Sequence, residues 1–229
     1  MSIAARFEAM PRSVFAASVA AIAITFIGTT SASATVGGPT MVEVLGYDVR
    51  DQKIYYVVVR SDSSDELPQV FFMHLDGAHA GKPQLVLSIK KGIDDHSENA
   101  YGRFEARLAK LRKRLAKIRV VATAKREGAS ERGDELPPAV KGVRTSRVRL
   151  GVKRYDDWEV ECLRVRVTVR IPKTKLRAKT IVQECSGPAR VTAIYSIKNR
   201  RERLVLLSSE PSPWEGGYEV QVPLLVRKP

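Results

Sequence analysis

Histidine is scarce in this chain, and its three copies fall within one region: His74, His79 and His96. His74 and Asp76 stand two residues apart at the end of an apolar run, so on a strand they share a face. With His79 in the turn beyond them and Asp94-Asp95-His96 following, the residues His74, Asp76, His79 and His96 have the ligand types of a divalent-metal centre. Such a centre would activate a water and serve a metal-dependent hydrolase built on the His74–His96 region. The spacing His-x-Asp-x-x-His is not diagnostic, however, and His-Glu-x-x-His does not occur. The expectation is therefore no metal and no cofactor, with those four residues as the candidates should one bind.

Nucleophilic chemistry has less support. There is no Gly-x-Ser-x-Gly elbow, no Gly-x-Gly-x-x-Gly and no Walker loop. Ser88 and Lys91 match Ser-x-x-Lys, but at the end of an expected strand rather than at a helix start. Trp214-Glu215-Gly216-Gly217-Tyr218 reads as a glycine turn feeding a strand, with aromatic walls for a ligand as the alternative. No catalytic residue is expected, and the chain reads as a non-enzymatic binding or scaffolding module.

The strongest chemical signal is cationic. The formal charge is +14 over 229 residues. Residues 35–98 carry six Lys/Arg against ten Asp/Glu, whereas residues 99–229 carry thirty-one against fourteen. The excess concentrates in two patterns. Between Asn99 and Arg119 there are eight Lys/Arg against Glu105 alone. Arginines then alternate with apolar residues: Arg147 and Arg149 with Val148, Leu150 and Val152, and Arg164, Arg166 and Arg170 with Leu163 through Ile171. Arg107, Lys110, Arg114, Lys117, Arg147, Arg149, Arg164 and Arg166 are the candidate anion-binding set. Arg144, Lys153, Lys173, Lys175, Arg177 and Lys179 extend it. A surface of one sign attracts counter-charge over about 8–10 Å at physiological salt. The partners this suggests are anionic lipid head groups or acidic envelope polysaccharide. Nucleic acid is disfavoured, because no aromatic-basic signature of a nucleic-acid fold is present.

The elements that hold these residues are mostly strands. Met41–Tyr47, Lys53–Arg60, Gln69–Leu75 and Gln84–Ile89 form a meander within residues 35–98, with turn residues between the runs. Tyr101, Phe104, Leu108, Leu111, Leu115 and Ile118 recur at spacings of three and four, which predicts one long amphipathic basic helix over residues 99–120. Its stripe packs on a sheet or, alternatively, makes the chain an assembly subunit that dimerises through residues 99–119. The oligomeric state is left open. Residues 121–142 read as a loop or linker, rich in Gly and Pro. Residues 143–229 form a basic β-rich subdomain with strands near Val148–Val152, Leu163–Ile171, Lys179–Glu184, Ala189–Ile197, Leu204–Ser208 and Tyr218–Val226. The fold class is thus mainly β, an antiparallel meander or sandwich of about ten strands with one helix. Val160 and Cys162 fall on the opposite parity from Leu163–Ile171, which places a bulge near Cys162 or covers that strand's start on its second face.

The first residues address the chain. Arg6 and Arg12 precede the uncharged run Val14–Gly28, and Ala32-Ser33-Ala34 fits a small-x-small cleavage site. Residues 1–34 are expected to be a cleaved signal peptide. The apolar run gives about 22 Å of helix, short of a roughly 30 Å bilayer core. A bacterial envelope protein, periplasmic or secreted, is the corresponding expectation. Cys162 and Cys185 would then meet an oxidising compartment and form one disulfide.

Overall fold

The structure is a computed structural model, and it describes residues 40–60, 68–88, 98–123, 140–155, 160–212 and 218–229. Residues 1–39, which include the expected signal peptide, and His96, most of the 121–142 connection, Trp158 and Trp214 lie outside the described residues. Among the described residues the protein is mainly β with a single α-helix, its strands arranged as two sheets.

The first four strands follow their turn chemistry. They are β1 (Thr40–Asp48), β2 (Lys53–Arg60), β3 (Gln69–His74) and β4 (Pro83–Leu87). Asp48 closes the first hairpin: its Oδ1 accepts the backbone N–H of Arg50 at 3.0 Å, while Gln52 takes φ +53°. Helix α1 spans Glu98–Arg114 and stops short of the expected Arg119. The reason lies just beyond it. Tyr47 and Ala116 exchange backbone hydrogen bonds at 3.1 and 2.9 Å, so β1 captures the chain in extended form at Ala116. Gly46 makes this approach feasible, because a Cβ there would sit 2.6 Å from the Ala116 carbonyl oxygen and 2.7 Å from Leu115 Cβ. Strand β5 (Arg119–Thr123) follows, in a segment expected to be helix end and linker.

The remaining strands are β6 (Arg144–Tyr155), β7 (Val160–Ile171), β8 (Leu176–Glu184), β9 (Arg190–Ser196), β10 (Arg203–Ser209) and β11 (Val220–Val226). The larger sheet has the order β4-β3-β2-β1-β11-β10-β9-β5, and the smaller one β6-β7-β8. In the larger sheet β1 and β11 run parallel and share one register pair, Thr40 with Val220. Just beyond it the Gln221 side-chain oxygen accepts the Val42 N–H at 3.0 Å, replacing a ladder bond where the strands part.

That sheet is strongly bent. Its β3 and β10 are four strand steps apart, roughly 19 Å in a flat sheet. Yet Asp76, just after β3, lies 2.9 Å from Arg200, just before β10. Ile54, Tyr56 and Met73 from one half and Leu204, Leu206 and Leu225 from the other fill the bend as one cluster. On the opposite face of the meander, Phe104 and Leu108 of α1 pack on Val57 and Val70. The smaller sheet packs Val165, Val167, Val169 and Val182 against Val191, Val205, Leu207 and Val226. Strand β10 therefore runs buried on both faces, which is why its sequence is a continuous apolar run rather than an alternation.

Candidate functional site

The three-stranded sheet sorts its charges by face. Directly opposed residues in a ladder point to the same side. Val165, Val167 and Val169 of β7 face the core, so Arg164, Arg166 and Arg170 face out, as the alternation predicts. On β8 the residues opposite Arg170, Thr168 and Arg166 are Arg177, Lys179 and Ile181. On β6 the register corrects the sequence reading. Residues 148, 150 and 152 do not form one buried face: Val148, Leu150 and Val152 are all exposed, and β6 is an edge strand without a second neighbour among the described residues. The irregularity expected near Cys162 lies instead on β6, between Arg149 and Gly151. It reverses the parity of that strand. Before it, Val148 stands opposite outward Arg166, while Arg147 and Arg149 stand opposite inward Val167 and Val165. After it, Gly151 and Lys153 join the outer face, opposite Arg164 and Cys162.

The outer face thus gathers Arg144, Lys153, Arg164, Arg166, Arg170, Arg177 and Lys179, all exposed and with no acidic residue among them. The two acids within these strands take the other parity, and arginines of β6 engage both. Arg154 Nε lies 2.7 Å from Glu161. Arg147 forms an ion pair with Glu184, whose buried carboxylate also accepts the Ala189 N–H at 2.8 Å. Arg147 is therefore a structural partner of Glu184, and Arg149 shares its face. Sequence parity alone did not separate these two from Arg164 and Arg166.

Four arginines form one row across the end of this face. Arg144 is the register partner of Arg170, and Arg170 of Arg177. Arg177 in turn exchanges backbone hydrogen bonds with Arg227, at 2.9 and 3.2 Å. All four are exposed, and none makes an ion pair with another described residue. Arg227 was missed by sequence reasoning, since nothing local signals that the end of β11 meets the start of β8. The β7–β8 connection makes the row tight. Pro172 opens a short 3-10 turn, Thr174 Oγ1 donates to the Ile171 carbonyl at 3.1 Å, and Lys175 at φ +56° closes it by donating to the Pro172 carbonyl at 3.3 Å. Ile171 and Leu176 thereby become direct partners, and Arg170 meets Arg177. A cleft of about 400 Å³ opens here, lined by Arg144, Arg170, Lys175 and Arg177 with Ile171, Pro172, Leu176 and Pro229.

The disulfide Cys162–Cys185 continues the same ladder one step beyond Leu163–Glu184, with a Cα–Cα distance of 4.2 Å. On the outer face beside it, Lys153 Nζ sits 4.4 Å from the Tyr155 ring centroid, and its hydrogen bond to the phenol is the chief influence lowering the Tyr155 pKa.

The helix cations divide differently. Arg112 grips both Glu43 carboxylate oxygens at 2.8 and 3.0 Å. Arg114 lies 3.4 Å from Asp48 and stacks on Tyr55. Part of the basic excess therefore answers acids of the first meander. Arg107, Lys110 and Lys117 are exposed on α1 and the turn after it, away from the smaller sheet's register.

The metal-ligand candidates are dispersed among other partners. His74 stands edge-on to Phe72 with centroids 5.1 Å apart, opposite Lys53. Asp76 accepts Arg200, which also approaches Glu202 at 3.2 Å; His79 is exposed in the turn. No three His, Cys, Asp or Glu side chains among the described residues gather as a metal site. No described helix is long and apolar enough to cross a membrane.

No family model matches this chain, and neither a curated protein nor a solved structure does. The reading of its function rests on the geometry above.

Proposed function

We propose that the protein is an exported, non-enzymatic module of the bacterial envelope, periplasmic or secreted, that binds anionic ligands through the outer face of its three-stranded sheet. The observation that carries this reading is the row Arg144–Arg170–Arg177–Arg227. Like charges directly opposed across a ladder are destabilising. Three successive such contacts make sense where an external anion supplies the missing counter-charge. The disulfide is consistent with an oxidising compartment, and the segment 1–34 with the route there. Anionic lipid head groups and acidic polysaccharide both suit a flat cationic surface of this kind.

Co-sedimentation with anionic and neutral vesicles, and retention on acidic and neutral glycans, tests the reading across a salt series. Binding to the anionic members should fall steeply with salt. Equal retention on neutral and anionic surfaces would overturn it.

A further inference from the structure

We infer that the cleft at the β7–β8 turn is a discrete site for a terminal phosphate group borne on an amphiphile, an inference that rests on the anion-binding reading above. Three features single the cleft out from the rest of the cationic face.

The first is charge density. Arg144, Arg170, Lys175 and Arg177 line a single depression of about 400 Å³, which is the size range of a small-ligand site. A phosphate monoester carries between one and two negative charges near neutral pH and presents three terminal oxygens. Guanidinium groups meet such oxygens as two-pronged donors, with directionality that a flat field of lysines lacks. A phosphodiester offers one charge and fewer free oxygens to the same four cations.

The second is that backbone geometry fixes the cations in place. Arg144, Arg170 and Arg177 are consecutive register partners on three hydrogen-bonded strands, so their Cα atoms recur at the interstrand spacing of about 5 Å. The closed turn Pro172–Thr174 and the left-handed Lys175 hold the fourth at the rim. Their positions are therefore largely organised before a ligand arrives, and a bound anion orders the side chains rather than the backbone.

The third is the apolar wall. Ile171, Pro172 and Leu176 line the same depression as the guanidinium groups. Pro172 is exposed and Ile171 half-buried, so carbon next to the phosphate finds carbon to rest on. Inorganic phosphate would leave that wall unused, whereas a lipid head group with its glycerol and first methylenes would cover it. The shared chemistry is phosphate recognition, and the lipid source is the one to which the apolar wall points.

The test uses the full chain. Binding is measured to vesicles of phosphatidylcholine alone, to vesicles doped with phosphatidic acid, and to vesicles doped with phosphatidylglycerol at matched surface charge, with inorganic phosphate as a soluble competitor. Phosphatidic acid vesicles should be preferred. Arg170→Gln and Arg177→Gln should each weaken that binding about tenfold or more, the loss expected for one charge-assisted contact. Arg164→Gln removes the same charge from the same face outside the cleft, and should weaken binding several-fold less than Arg170→Gln does at physiological salt. Melting of each variant at or above the parent's temperature confirms that folding is intact. If Arg164→Gln and Arg170→Gln weaken binding equally, the discrete site is wrong while the anion-binding face survives. Inorganic phosphate that binds as tightly as the phosphatidic acid surface would overturn the amphiphile. Binding to no anionic vesicle would remove the phosphate site, and equal retention on acidic and neutral glycans as well would remove the anion-binding reading with it.

Discussion

Replacing Arg170 by Gln should make the unliganded protein more stable. Arg170 is flanked in register by Arg144 on one side and Arg177 on the other, all exposed. Guanidinium groups at the ends of such neighbouring side chains can spread to about 7 Å, where two unit charges in water repel by about 0.6 kcal/mol. Two neighbours make this about 1 kcal/mol at low ionic strength, where the Debye length is about 30 Å. At 1 M salt that length falls to about 3 Å, and the repulsion nearly vanishes. The variant should thus gain about 0.5–1 kcal/mol in dilute chloride buffer, which is about 1–4 °C of melting temperature for a chain of this size, and almost nothing at 1 M salt. Urea or thermal unfolding of both proteins at the two salt concentrations reads this directly. An Arg170→Gln protein less stable than the parent at both would show that the guanidinium is held by packing along its stem, and the inference from cross-strand repulsion to an external anion would fail.

Other perturbations probe the framework. Cys162→Ser with Cys185→Ser should lower stability by about 3 kcal/mol in the chain-entropy model, measurable as a shift in the urea midpoint. Glu184→Ala should cost about 1–3 kcal/mol, because the Ala189 N–H and the Arg147 guanidinium both lose their acceptor, and Arg147→Gln should cost at least as much, since it leaves the buried Glu184 carboxylate without its cation; a clearly smaller loss in Arg147→Gln would refute that reasoning. Gly46→Ala drives a methyl into the Ala116 carbonyl and should cost about 2–4 kcal/mol, with exchange protection lost at the Tyr47–Ala116 contact before the rest of β1. Burial pushes the Tyr56 phenol well above its ordinary value near 10. The folded state keeps a proton that the unfolded chain releases, so this contribution is complete below about pH 10 and declines as pH rises beyond it. Tyr56→Phe should flatten that alkaline limb, and an unchanged slope in pH-dependent unfolding would count against the assignment.

The parts of this fold that were legible in sequence are those where one strand carries its own signal. β7 shows this most plainly: Val165, Val167 and Val169 alternate with Arg164, Arg166 and Arg170, and each set lies on the face its parity assigns. The helix stripe through Phe104 and Leu108 likewise marks residues that pack on the meander. β6 misled because its alternation is real but interrupted. A bulge near Leu150 leaves no compositional trace beyond Gly151, and it sends Arg147 to the side of Glu184 rather than to solvent. β5 was hidden because the helical pattern continues through Leu115 and Ile118 to Arg119, whereas Ala116 is claimed by Tyr47, distant in sequence but adjacent in space. The arginine row was half visible. Arg144, Arg170 and Arg177 belong to strands that sequence places, whereas their alignment depends on a turn closed by Lys175, and Arg227 joins only through tertiary pairing.

The edge position of β6 has a consequence for how copies of this protein behave in a crowded compartment. Among the described residues β6 has no second neighbour, and a twelve-residue edge of this kind is a template onto which a second chain can add, the first step toward fibrils. This one exposes Val148, Leu150 and Val152, the kind of side chains that favour such growth. It also carries Arg144, Arg147, Arg149, Lys153 and Arg154 along the same twelve positions. Two copies meeting edge to edge would bring cation against cation over most of the strand, a repulsion that opposes such growth. Colloidal solubility should accordingly be lowest where polyanion is abundant enough to neutralise the edge without capping it.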